Sequence, residues 1–255
     1  MQPGKCFAVS ILAPFCIRQG EEMKKETYEL LESYMNSCME DSAHDKEHIY
    51  RVLYTALDIA RTEENVDYDV LICACLLHDI GRREQFENPK VCHAEAGAEK
   101  AYRFLKGNGF AEDFAVRVRD CILSHRYRKS NPPESIEAKI LFDADKTDVV
   151  GAIGIARTLL YKGQVSEPLY TRMPNGQVSD GENDVAPSFF QEYKFKLEKM
   201  YTKFYTAHGA WLAEQRRAAA ESFYTNMLHE VQGTYADGIG LLKACIDDSD
   251  DSLQI

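Results

Sequence analysis

From residue 26 onward apolar positions recur every three to four residues, the spacing that lines one face of an α-helix, and they almost nowhere alternate as on a half-buried strand. The pattern predicts an all-α chain. One amphipathic helix is predicted over 27–39. A second opens at Asp45, a candidate N-cap, and keeps Ile49, Val52, Leu53, Ala56 and Ile59 on one side. Residues 68–80 are apolar nearly all round, as a central buried helix is, and Gly81 is placed to end it as a C-cap glycine. Further helices are predicted over 94–106, 112–125 and about 134–161. The texture changes at 162–187, where Gly163, Pro168, Pro174, Asn175-Gly176, Gly181 and Pro187 read as a long irregular loop, either a lid or a disordered insert. Two more helices, about 188–205 and 211–231, carry an aromatic stripe (Phe190, Tyr193, Leu197, Tyr201, Phe204) that reads as core packing.

A chain of 255 residues, 45% apolar and 28% charged, can bury one full core. The expected organisation is a poorly ordered extension over 1–22, a single helical bundle over 23–233 interrupted by the 162–187 insert, and a C-terminal tail over 234–255. KCFAVSILAPFCI (5–17) has the charge-then-apolar layout of a secretory signal, but Pro14 interrupts it and no A-x-A site follows. The acidic DDSDDS at 247–252 is expected to stay solvated, and no internal repeat is visible. No apolar run approaches the ~18 to 20 residues that cross a bilayer, so no membrane association is expected. A net charge of -11 and a pI near 5.2 argue against stable nucleic acid binding. They leave room for a phosphorylated small molecule in a local basic pocket, for which Arg82-Arg83 and the RYRK run at 126–129 are candidates, although both also read as solvated surface charge. The eight cysteines form no CxxC pair, and Cys73 and Cys75 sit in an apolar run as small hydrophobes, so a reducing cytoplasm is expected. The oligomeric state is not legible.

The apolar run VLICACLL (70–77) ends in His78 and Asp79. An ionised carboxylate at the end of a buried helix costs several kcal/mol unless it is paired or holds a metal. Alone, the dipeptide favours a plain reading, a satisfied core histidine beside an aspartate bonded to backbone N–H groups. Other residues shift the balance. In AHDKEHIYRV (43–52), His48 and Arg51 are three residues apart and project from one helix face. In AKILFDADKTDVV (138–150), Asp145 lies one turn after Leu141 with Asp148 near it on the same face, whereas Asp143 is rotated ~160° from Asp145 at ~100° per residue. Asp145 is therefore expected to point inward. His48, His78, Asp79 and Asp145 give two imidazoles and two carboxylates, a set that suits a divalent transition ion such as Mn, Fe, Co, Ni or Zn. Adjacent residues on a helix diverge by ~100°, so His78 and Asp79 reach one ion only if it lies off the helix end, where Gly81 stands.

With CHAEAGAEKAYRFL (92–105), AKILFDADKTDVVGAIGIARTLLY (138–161) and LEKMYTKFYTAHGAWLAEQR (197–216), these motifs resemble the HD-domain superfamily of metal-dependent phosphohydrolases, whose pattern is H…HD…D. Within it they are similar to the branch of YedJ-like and YpgQ-like bacterial proteins, over roughly 26–231. The resemblance implies an HD-domain helical bundle with His48, His78, Asp79 and Asp145 as metal ligands, and His48 rather than His44 as the first of them. It implies hydrolysis of phosphate esters or phosphoanhydrides by a metal-activated water, with nucleotides as the substrate class. Some members add two histidines between the HD pair and the last aspartate and hold a second metal. His93 and His125 lie in that interval and are candidates for second-metal ligands or substrate phosphate contacts, against the plain reading of histidines at helix ends. Asp79 or a neighbouring carboxylate is expected to orient the water, and Arg51, Lys146 and the 126–129 run to offset charge on the phosphoryl group. Glu84, five residues past Asp79, reads as a general acid or base or as surface. Two other functions share this frame: a di-iron HD-domain oxygenase, which requires His93 and His125 as ligands, and a non-catalytic nucleotide-binding module.

Overall fold

A computed structural model describes residues 23–39, 46–126 and 131–246. The expectations for 1–22, His44, Asp45, 127–129 and 247–252 fall outside these residues. The described chain is all-α, as predicted: α1 (Lys25–Met39), α2 (Lys46–Ala60), α3 (Tyr68–Leu77), α4 (Arg82–Glu87), α5 (His93–Gly107), α6 (Glu112–Ser124), α7 (Ile136–Thr147), α8 (Gly151–Gln164), α9 (Phe189–Phe195), a 3-10 turn (Leu197–Lys199) and α10 (Ala207–Cys245). None of these helices is long and apolar enough to cross a membrane.

The apolar segment forms the central helix. Asp67 caps α3 by accepting from Asp69 N and Val70 N, both at 3.1 Å. Val70, Leu71 and Cys73 through Leu77 are fully buried, and α1, α2, α5, α6 and α7 pack around them. The predicted face of α2 (Ile49, Val52, Leu53, Ala56, Ile59) is buried against this core.

Boundaries differ where the chain builds the site. The stretch 68–80 is not one helix: α3 stops at Leu77, and a turn through His78 to Gly81 leads into α4. Gly81 is not a left-handed C-cap, since its φ is -94° and it precedes α4. Its missing side chain has another cause: a Cβ would lie 2.3 Å from the His93 carbonyl oxygen and 2.4 Å from Gly97 N. Gly81 and Gly97 thus let the first turn of α5 sit directly on the His78–Asp79 turn. The stretch 134–161 likewise splits into α7 and α8 at Asp148, where Gly151 (φ +70°) turns the chain against Arg216.

Past the end of α8 the 162–187 segment is irregular, as predicted, with one bridge between Arg172 and Val178, and it is packed against the bundle. Val178 and Ser179 are buried, and Phe189 N and Phe190 N donate to the Pro168 and Leu169 carbonyls. It closes a second, aromatic core of Ile155, Val178, Phe189, Phe190, Tyr193, Leu197, Ala220 and Tyr224, in which Tyr193 stacks on Tyr224 at 4.1 Å. The single helix predicted over 188–205 is α9 and the 3-10 turn, and Lys203 (φ +67°) redirects the chain into α10. That helix runs to Cys245 rather than ending near 231, so 234–245 is helical and not a tail. Gly233, Gly238 and Gly240 each cost ~1 kcal/mol, which weakens a helix already nucleated without ending it.

Candidate metal centre

Five elements meet at the break between α3 and α4. The first turn of α2 supplies His48, the end of α3 His78 and Asp79, the first residue of α5 His93, the residue after α6 His125, and α7 Asp145 and, just past its end, Asp148. The four histidines and Asp79 are buried.

Each imidazole spends its Nδ1 on a fixed acceptor. His78 Nδ1 donates to the Cys75 carbonyl at 2.8 Å, His125 Nδ1 to the Ile122 carbonyl at 2.6 Å and His93 Nδ1 to Gln85 Oε1 at 2.8 Å. His48 Nδ1 lies 2.7 Å from Asp148 Oδ2. Carbonyl and carboxylate oxygens accept, so in the neutral rings every Nε2 carries a lone pair.

These nitrogens surround one carboxylate. Asp79 Oδ2 is 3.6 Å from His48 Nε2 and 3.7 Å from His78 Nε2. Asp79 Oδ1 is 3.7 Å from both His93 Nε2 and His125 Nε2 and accepts from Arg82 Nε at 2.9 Å. Asp145 Oδ1 completes the first side, 3.3 Å from His48 Nε2, and His78 Nε2 lies 3.4 Å from His48 Nε2. Asp145 points inward as predicted. Its side chain is 20% exposed against 4% or less for His48, His78 and Asp79, so it forms the open edge of the cluster. Two trios have ligand atoms close enough to share an ion, His48/His78/Asp145 and Asp79/His93/His125.

The electrostatics separate the two trios. Burial alone would lower the His48 pKa, but Asp145, Asp148 and Asp79 outweigh it and hold the imidazole at about 10. Burial depresses His78 to about 4, Asp79 opposing. His93 is depressed to about 3 in the same way. Burial would raise Asp79, yet Arg82 and His78 keep it well below the usual carboxylate range. Asp145 also stays low, because His48 outweighs its desolvation. In the second trio the Nε2 atoms of both His93 and His125 are buried with no hydrogen-bond partner. Such atoms are uncommon in folded proteins and mark a missing partner. Two imidazoles and a carboxylate fit a transition ion there, as the two imidazoles and Asp145 of the first trio do, with Asp79 Oδ2 beside them.

Other expected residues stand elsewhere. Lys146 does not face the histidines: its Nζ bonds the Thr202 and Lys203 carbonyls and lies 4.4 Å from the Phe204 ring centroid. One step along α7 rotates it ~100° from Asp145, toward the turn before α10. Burial there lowers it to about 8. Arg51 is forked onto Asp148, Nε to Oδ1 at 2.8 Å and Nη2 to Oδ2 at 3.1 Å, and Arg157 Nη1 shares Oδ2 at 2.7 Å. Glu84 pairs with Lys100 at 2.9 Å. Asp143 faces away, as its rotation predicts, and caps α10 by accepting from Thr206 N and Oγ1 at 2.7 Å and from Tyr205 N at 3.0 Å. Sequence reasoning missed the support given by Asp148, Arg157 and Gln85, and the docking of Arg82 on Asp79. Spacing carried a signal for two of them: Asp148 follows Asp145, and Arg82 follows Asp79, by three residues.

A family model for the HD domain matches residues 46–149, the span from α2 to the end of α7. The uncharacterized protein YpgQ of Bacillus subtilis (strain 168) is 26% identical over 225 residues, covering 87% of this chain and 98% of its own. Among solved structures, B. subtilis YpgQ in complex with ADP is 25% identical with a TM-score of 0.63, over 81% of this chain and 98% of that one. An HD-superfamily hydrolase from Bacillus thuringiensis is 28% identical with a TM-score of 0.62, over 82% and 98%. With the helical bundle and the ordered H…HD…D residues, these likenesses identify residues 46–149 as an HD domain.

Proposed function

We propose that the protein is a metal-dependent phosphohydrolase acting on a nucleotide or a related phosphate ester or anhydride. In this reading His48, His78, Asp79 and Asp145 hold one divalent transition ion, and Asp79, His93 and His125 a second. The observation that carries it is the set of four imidazoles, each committed at Nδ1, turning Nε2 toward one shared carboxylate. It also favours a cation over a substrate phosphate at His93 and His125: their Nε2 atoms are lone pairs, and an ionised phosphate oxygen is an acceptor too. A bound divalent ion supplies a water acidified toward neutrality and charge stabilisation at phosphorus.

The chain's own groups do the rest. Asp79, kept ionised by Arg82, orients the attacking water. Asp148 fixes the His48 tautomer. Arg51 and Arg157 both bond Asp148 and are each about a third exposed, which places two guanidinium groups beside His48 for a phosphorylated substrate. Lys146 has no part in this reading. The nucleotide class is further supported by the ADP bound in the relative YpgQ. A di-iron oxygenase would use the same two trios; the arginines and the relative's nucleotide favour phosphoryl chemistry. A non-catalytic module would have no need of a complete ligand set. The free buried thiols Cys73, Cys75 and Cys121 suit a reducing cytoplasm.

The test is a screen of phosphorylated metabolites with Mn, Fe, Co, Ni and Zn supplied in turn, reading phosphate, pyrophosphate and oxygen uptake. The parent is expected to release phosphate or pyrophosphate without consuming oxygen, and the H78A/D79A double variant to lose about a thousandfold or more in kcat/KM. A double variant as active as the parent would show the site assignment to be wrong.

A further inference from the structure

We propose that Arg82 sets how tightly the His93/His125 side holds its ion, because its guanidinium and that ion claim the same atom, Asp79 Oδ1. This rests on the two-ion reading above. Asp79 Oδ1 accepts from Arg82 Nε at 2.9 Å and lies 3.7 Å from both unpartnered imidazole nitrogens. The guanidinium is therefore already the counter-cation of the one carboxylate on that side.

The two sides differ in charge for this reason. On the first side Asp145 adds a second carboxylate beside Asp79 Oδ2. On the second side His93 and His125 add no carboxylate, and the charge of Asp79 is offset by Arg82. A divalent ion there meets no net negative charge and is repelled by the guanidinium across a shared oxygen. Little holds Arg82 in place apart from Asp79. Its Nε makes the bond, its terminal amino groups make no further hydrogen bond among the described residues, and its side chain is 29% exposed. The second ion is thus weaker than the first because of a resident cation, while its imidazoles are already aimed.

The experiment titrates the metal-free full-length protein with Mn2+ and follows free Mn2+ by electron paramagnetic resonance. It compares parent, R82Q, R82K and H93A/H125A, with circular dichroism as the folding control. The parent is expected to show a tight and a weak class of one ion each. R82Q removes the competing charge and is expected to tighten the weak class about tenfold or more, with the tight class within about threefold of the parent. R82K keeps the charge and should leave the weak class near its parental value. R82M, equally neutral, replaces R82Q if that variant fails to fold. A weak class that is unchanged or weaker in the neutral variant, yet absent from H93A/H125A, overturns the role of Arg82 and leaves the two-ion reading standing. If H93A/H125A binds as many ions as the parent, that reading falls and this proposal with it.

Discussion

The two sides of Asp79 are built from the same residue types and behave differently. On the His48/His78/Asp145 side each ring nitrogen has a protein partner: with no ion present, protonated His48 bridges Asp145, Asp148 and Asp79. On the His93/His125 side both Nε2 atoms are bare, and a guanidinium occupies the carboxylate. A buried histidine cluster can thus be stabilised by an internal proton, or left incomplete until a cation arrives. What decides is whether a second carboxylate is near enough to hold a proton on the ring.

That contrast can be broken most directly by removing ligands. H48A is expected to lose the tight ion and about a thousandfold in kcat/KM, whereas H93A/H125A should lose the weak ion and about 10- to 100-fold. Equal losses, by metal analysis and steady-state kinetics, would mean that the sides are not distinct. Next in size is D148N, which strips His48, Arg51 and Arg157 of their shared carboxylate. First-side Mn2+ affinity should fall about 10- to 100-fold with the second side little changed. A titration in which both classes weaken together would assign Asp148 to general folding.

The smallest effect sharpens the comparison through pH. His48 is held at about 10, above its ordinary 6.5, so it keeps its proton through neutrality and an entering ion must displace it. First-side affinity should rise about tenfold per pH unit between pH 6 and 8. His93, at about 3, has no proton to give up in that range, so second-side affinity should stay flat with respect to that ring. Mn2+ titrations at pH 6, 7 and 8 measure both slopes, and parallel slopes would contradict the assignment of the proton to His48.

Much of the first side was legible because helical periodicity states which residues share a face. Asp145 inward and Asp143 away follow from ~100° per residue, and the structure has both orientations. By the same arithmetic Lys146, one residue past Asp145, turns toward the Thr202 and Lys203 carbonyls. The second side was legible in residue type, not in arrangement. Nothing along the chain says that His93 and His125 meet at one oxygen of Asp79, because α5 reaches that point through the Gly81–Gly97 contact, a close approach between segments distant along the chain. The turn at His78, the break at Asp148 and the packing of the 162–187 segment escaped for a related reason: each is stabilised by partners from other elements.

By itself the sequence determined the all-α class, the buried central helix and the residue types able to hold a metal, because these follow from local periodicity and side-chain chemistry. Only the tertiary structure decided which nitrogens face which oxygen, where Arg82 sits, and that the cluster has two unlike sides. Those depend on distances of a few ångströms between helices far apart in the chain, which no local pattern encodes.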